Sequence, residues 1–190
     1  MITQEGTSII QKELQSNEKI LWSGQPNPKI LFTRGDAFLI PFTVVWFSIT
    51  LSIGFQIFSS PGSLTFPFAL FPLLFLVIGF YISIGRFIYK YFRKKKTYFA
   101  LTDKRVIIIS NFLGNNVQAA FINEIPTINK SVNAKGVGSL VFGNLNMQSL
   151  MYSNTGLELL GGITITPIPA FYDISDADEV YKKISELKNK

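Results

Sequence analysis

The chain has 190 residues, room for one domain or for one domain with a small extra module. Apolar residues make up 47% and charged residues 16%, against roughly 25% charge in a soluble domain, so composition points to a membrane protein. Cysteine and histidine are both absent. That excludes disulfides, thiolate chemistry, the commonest metal ligand and the side chain best suited to proton exchange near pH 7.

The net charge of +6 is unevenly placed. Residues 86–105 hold eight basic residues against Asp103, so this segment carries +7 and the remainder −1. Basicity belongs to one stretch, not to a whole surface.

Residues 1–36 are balanced in charge. Two short apolar patches, Ile20–Leu21–Trp22 and Ile30–Leu31–Phe32, flank the breaking sequence Gly24–Gln25–Pro26–Asn27–Pro28. This reads as a juxtamembrane segment, with Trp22 at the headgroup level or packed on the domain that follows. Residues 37–58 and 64–85 are two uncharged runs of 22 residues, each long enough to cross a bilayer as a helix. Ser59–Ser63 forms the turn between them, and Pro67 and Pro72 delay or kink the second helix. The transmembrane hairpin thus occupies residues 37–92, with Tyr89 and Tyr91 as interface anchors on its basic side. Neither span holds a charged side chain, which argues against a channel or pump. The loop between the spans is neutral and the following segment strongly basic, so the N-terminus and the C-terminal domain are both expected in the cytoplasm.

After Lys96 the pattern changes. Thr97–Leu101 and Arg105–Ser110 are rich in aromatic and β-branched residues, and a tight turn between them predicts a β-hairpin. Further strands are expected at Val117–Ile122, Thr127–Asn133 and Ser139–Gly143. Residues 144–160 give no clear element. Gly162–Tyr172 reads as an extended edge segment interrupted by Pro167 and Pro169. The C-terminus predicts a helix with Ser175 as N-cap, Asp178 completing a capping box, and Ala177, Val180, Tyr181, Ile184 and Leu187 on one apolar face. Residues 97–190 thus form a small α+β domain of antiparallel strands closed by a helix.

Four stretches in order resemble the bacterial membrane-anchored pleckstrin-homology-like (PH-like) domain family. "EKILWSGQP" (Glu18–Pro26) looks like its opening motif and "YFALTDKRVIIIS" (Tyr98–Ser110) like its most recognisable stretch. "GVGSLVFG" (Gly136–Gly143) is similar to its Gly-x-Gly strand start, and "FYDISDADEVYKKI" (Phe171–Ile184) to its closing passage. Residues 144–160 depart from it, being longer and more polar. The resemblance implies an antiparallel β sandwich or split barrel capped by a C-terminal helix, on a membrane anchor. It implies no activity, since fold alone does not carry function.

No catalytic constellation, phosphate loop or metal-binding pattern is present in the sequence, so no enzyme activity and no cofactor is expected. The basic residues crowd a membrane exit instead of spreading over an exposed face, which argues against nucleic acid. Their first role is to set topology; contact with anionic phospholipid headgroups is the sharper reading, with Arg93, Lys94, Lys95, Lys96 and Lys104 as candidates. Arg105 is read as pairing within the domain. The expectation is a membrane-anchored, non-enzymatic scaffold or adaptor. The alternative is an assembly subunit, with a protein partner or a second copy and no specific lipid recognition.

Overall fold

A computed structural model describes residues 3–33, 36–59, 70–145, 154–159 and 168–189. The turn at 60–63, Pro67, residues 146–153 and 160, and the extended segment at 162–167 lie outside the described residues.

The N-terminal segment packs on the domain that follows the spans. It opens with helix α1 (Gln4–Lys12), capped by the Thr3 hydroxyl, which accepts from the Gly6 N–H. Strand β1 (Ile20–Gly24) follows. Helix α2 (Asp36–Ser59) is the first apolar helix. Helix α3 (Leu70–Phe80), a π-helical turn (Tyr81–Gly85) and helix α4 (Arg86–Lys95) form the second. Stretches at Leu39–Ile57 and Leu73–Lys95 are long and apolar enough to cross a membrane, and only 11% and 17% of their most apolar windows are buried. A core helix of a soluble protein would be mostly buried, so these outward apolar faces fit a lipid solvent. The two helices meet where Trp46 stacks on Phe75 at 6.1 Å and Gly79 lets Phe47 approach closely.

Strands β2 (Thr97–Thr102), β3 (Arg105–Ser110) and β4 (Asn116–Phe121) extend an antiparallel sheet in the order β1-β2-β3-β4. Strands β5 (Ile128–Val132), β6 (Gly138–Phe142) and β7 (Ala170–Ile174) form a second antiparallel sheet, order β5-β6-β7. Helix α5 (Ala177–Lys188) closes the chain. No strand ladder joins the two sheets among the described residues, so the two-sheet arrangement expected of a sandwich or split barrel is present and no closed barrel is seen among them.

The main core lies between the sheets and under α5, built from residues such as Phe99, Leu101, Val106, Leu140, Phe171 and Ile184. Ala177, Val180 and Ile184 are buried there, with Tyr181 and Leu187 packed against them, as the apolar face of the helix predicts. The opposite face of the first sheet is also covered. Tyr98, Ala100, Ile107 and Ile109 pack with Ile10 of α1. Coverage on both faces explains why β2 is buried at every position and why its sequence is nearly continuously apolar.

Two expectations need correcting. The Ser175 capping box does not form: α5 starts at Ala177, its N-cap residue is Asp176, and no side chain caps it. The Asp176 carboxylate accepts the Trp22 indole N–H at 3.2 Å, and Asp178 pairs with Lys130 at 2.7 Å. Nor is 97–190 a self-contained sheet, because β1 pairs with β2 from before the first span (Trp22↔Leu101, Gly24↔Phe99). That pairing holds both flanks of the hairpin on one side of the membrane.

Candidate functional site

The basic stretch splits into residues turned inward and residues turned outward. Arg86, Lys90 and Lys94 recur at i, i+4, i+8 along one face of α4 and are all buried. Each has a protein partner. Arg86 pairs with Asp36 at the start of α2. Lys90 Nζ donates to the Leu31 carbonyl at 2.6 Å. Lys94 Nζ donates to the Ile30 carbonyl and to the Asp173 carboxylate, both at 2.5 Å. The connector between β1 and α2 thus runs along α4 and offers its backbone carbonyls to buried ammonium groups, which satisfies both sides.

The outward face is apolar. Val77, Phe80, Ile84, Ile88 and Phe92 are each at least half exposed and follow one another at i+3 or i+4 spacing. Helix α4 is therefore inverted relative to a solvated helix, with cations inside and hydrocarbon outside.

Lys94, expected at a headgroup, is accordingly met inside the protein. Arg93 is half-buried, 3.0 Å from Glu158 and stacked over the Tyr89 ring. Lys95 is exposed over the Tyr91 ring, with Nζ 4.5 Å from its centroid. Lys96 is exposed and lies 3.4 Å from Glu5 of α1. Lys104 is exposed but sits at the far end of the first hairpin; six residues of β2, about 20 Å of strand, separate it from Lys96. Lys104 is therefore not part of one patch with the others. Arg105 pairs within the domain. Its guanidinium donates to both Glu18 oxygens, at 2.9 and 3.1 Å, and to the Glu13 carbonyl at 2.7 Å. Burial raises the Glu18 pKa, but hydrogen bonds from Arg105, the Gln15 N–H and the Thr102 hydroxyl outweigh it and hold the carboxyl at about 2.

Trp22, expected as an interface anchor, lies in β1 with its ring 5.5 Å from Phe171. It seals the main core. Tyr89 packs edge-on against Phe112 at 5.4 Å, and Tyr91 against Phe92 at 5.4 Å.

Residues that carried no signal in the sequence build the rest of the site. Asp173 adopts φ +54° at an irregularity in the β6–β7 pairing. Its carboxylate accepts from Lys94 and from Asn154 Nδ2 at 2.8 Å, and its carbonyl accepts from the Asn27 N–H at 2.9 Å. The segment 154–159 then clasps the second apolar helix. Gly156 accepts the Tyr81 hydroxyl at 2.6 Å, and Glu158 faces Arg93.

Between α4, this clasp and the two sheets lies a cavity of about 510 Å³. Its first wall is the inner face of the first sheet. The register places Thr97, Ser110 and Asn116 in one row on that face, and Phe99, Ile108 and Gln118 in the next. The next row inward, Leu101, Val106 and Ala120, belongs to the core. A sandwich interior that turns from hydrocarbon to hydroxyl and amide along its length cannot close dry, so the sheets part at the α4 end. Ile168, Ala170 and Tyr172 form the facing wall. The β3–β4 loop stands at the rim, with Leu113 at φ +58° and 74% exposed.

Compared with protein-family models, with characterised proteins and with solved structures, the chain matches none.

Proposed function

We propose that the chain is a membrane-anchored, non-enzymatic module of PH-like type, a scaffold or adaptor at the cytoplasmic face with anionic-lipid contact at Lys95 and Lys96. The observation that carries this reading is the division of one sheet by the membrane hairpin: β1 precedes the spans and β2 follows them. A domain built this way is fixed in position on its anchor, as a platform requires, instead of swinging on a linker. The two-sheet plus C-terminal-helix order and the pairing of the motif around Glu18 with that around Arg105 support the family reading. The non-enzymatic reading is supported by the engagement of the carboxylates. Glu18, Asp36, Asp173 and Asp178 all sit in ion pairs. The basic stretch after the second span supports the cytoplasmic orientation.

The test uses the full chain in nanodiscs of phosphatidylcholine with or without phosphatidylglycerol. Co-purifying lipid is counted for the wild type and for Lys95→Gln/Lys96→Gln. Anionic enrichment lost in the double variant supports the reading. Equal lipid content in both proteins removes lipid contact from it. The assembly reading would then stand, favoured by the edge of β4, which has no partner strand among the described residues and exposes Val117 and Phe121. Its own signature is self-association that Phe121→Lys abolishes.

A further inference from the structure

We propose that the cavity between the two sheets binds a membrane amphiphile whose headgroup offers hydrogen-bond donors, an ammonium or a hydroxyl. The inference rests on the membrane placement of α2 and α3, but not on the anionic contact at Lys95 and Lys96.

Position comes first. The apolar stripe runs unbroken from Val77 on α3 to Phe92 on α4, so the lipid-facing side of the second helix continues to the level of the cavity. Tyr89 and Arg93, on the adjoining face of the same turns, line that cavity. The β3–β4 loop stands at this end too, since Thr97 pairs with Ser110 and the Asn111 N–H donates to the Lys96 carbonyl. Its tip brings Phe112 onto Tyr89 and leaves Leu113 exposed. Gly114, at φ +122°, has open space around it. The rim is thus hydrocarbon on the membrane side, suited to an acyl chain and poorly suited to water.

The interior states what the headgroup must supply. Asn154 is 5% exposed, and its Oδ1 has no hydrogen-bond partner among the described residues. Both Glu158 carboxylate oxygens are buried in the same condition; the Arg93 guanidinium stands 3.0 Å away, out of hydrogen-bond alignment. Asn154 and Glu158 both line the cavity; buried acceptors without hydrogen bonds on two such residues are costly in a protein that binds nothing there, and an N–H or O–H donor removes the cost. Arg93, next to them, provides the positive charge for a phosphodiester. The apolar floor at Phe99 and Ile108 takes the start of the chain. A volume of about 510 Å³ is of ligand-site size.

The test compares phosphatidylethanolamine with phosphatidylcholine of the same acyl chains. Both are net neutral, but the choline headgroup has no N–H. Detergent-purified full chain is offered equal amounts of each, and retained lipid is read by native mass spectrometry. Retention of phosphatidylethanolamine by about tenfold over phosphatidylcholine is expected, the worth of one charge-assisted hydrogen bond. Glu158→Gln with Asn154→Leu should abolish the preference, and so should Gln118→Trp, which fills the cavity from its rim. Lys104→Gln, at the far end of β2, should leave it intact. Melting temperature separates loss of binding from loss of fold. Equal retention of the two lipids, or an unchanged preference in the folded cavity variants, overturns the proposal. Displacement by free phosphoethanolamine at equal concentration overturns the role of the hydrocarbon floor. None of these readings depends on anionic lipid, so failure here is distinct from failure of the headgroup contact at Lys95 and Lys96.

Discussion

Asp173 meets Lys94 across the junction between domain and membrane helix, Oδ2 to Nζ 2.5 Å. The contact depends on a break in regular structure. Gly138 pairs with Ile174 and Leu140 with Phe171, so the β7 strand holds an extra residue in between. Asp173 takes a left-handed backbone there and swings its carboxylate toward α4. A non-glycine residue held this way costs about 1 to 3 kcal/mol and persists because its surroundings fix it.

Removing the charge tests the bolt. Asp173→Asn leaves a buried ammonium without its counter-ion, which should destabilise the protein by about 3 kcal/mol or more. In thermal unfolding of the full chain that reads as a drop of about 6 to 12 °C. Lys94→Met combined with Asp173→Asn should lose less than the two single losses added together. Strict additivity in the cycle would show that the two groups do not act as a unit.

The Glu18–Arg105 pair predicts a pH dependence with a definite sign. The carboxyl is held at about 2 in the folded protein and returns to an ordinary value near 4.5 when unfolded. Between these values the unfolded chain binds more protons, so stability rises with pH. The contribution is complete above about 4.5 and is lost as pH falls toward 2. Melting temperature measured from pH 6 to pH 2 should fall more steeply for the wild type than for Glu18→Gln. Parallel curves would place the acid sensitivity elsewhere.

Part of this was legible in the sequence. The first span, the β2–β3 hairpin and the apolar face of α5 carry local periodicity, and the structure has them near the expected positions; the second apolar stretch runs from Leu73 to Lys95, past the expected end at Gly85. Strand β1 was not legible because its apolar patch is three residues long and stops at a Gly-Pro-rich break. What makes it a strand is a partner beyond both spans. The burial of Lys90 and Lys94 was hidden for a related reason. A run of basic residues ordinarily means a solvated face, and the groups that reverse this are backbone carbonyls and one displaced carboxylate. Backbone partners leave no trace in residue type. The cavity did leave one: polar residues at Thr97, Ser110, Asn116 and Gln118 fall on the inward alternation of otherwise apolar strands.

Gly156 holds the clasp at φ +85°, where an added Cβ would fall on the Arg86 carbonyl. Gly156→Ala therefore combines a backbone penalty of about 1 to 2 kcal/mol with a clash that only displacement relieves. The segment should lift and give up the bond to the Tyr81 hydroxyl. Limited proteolysis between residues 154 and 159 should quicken in the variant while the sheets keep their circular-dichroism signal. Unchanged cleavage would mean that the clasp does not depend on this close approach.

The division of the first sheet by the hairpin makes the most direct prediction about folding. Residues 97–190 alone lack β1 and α1. Strand β2 then becomes an unpaired edge, the face formed by Tyr98, Ala100, Ile107 and Ile109 loses Ile10, and Phe171 loses Trp22. Such a fragment should aggregate or stay loosely packed, through the exposed edge and the uncovered apolar face. Gly24 pairs with Phe99, so the end of β1 lies beside the start of β2. A hairpin turn of about two to five residues can replace the whole membrane hairpin between them. The fusion of residues 3–24 through such a turn to 97–190 should fold as a soluble domain, with dispersed amide resonances and cooperative unfolding. Trp22→Ala in that fusion should weaken it by about 3 kcal/mol or more, as for a large aromatic removed from a core. Equal behaviour of the fusion and the bare 97–190 fragment would show that β1 contributes no stability, and the membrane hairpin would then be an attachment to the domain instead of an insertion within it.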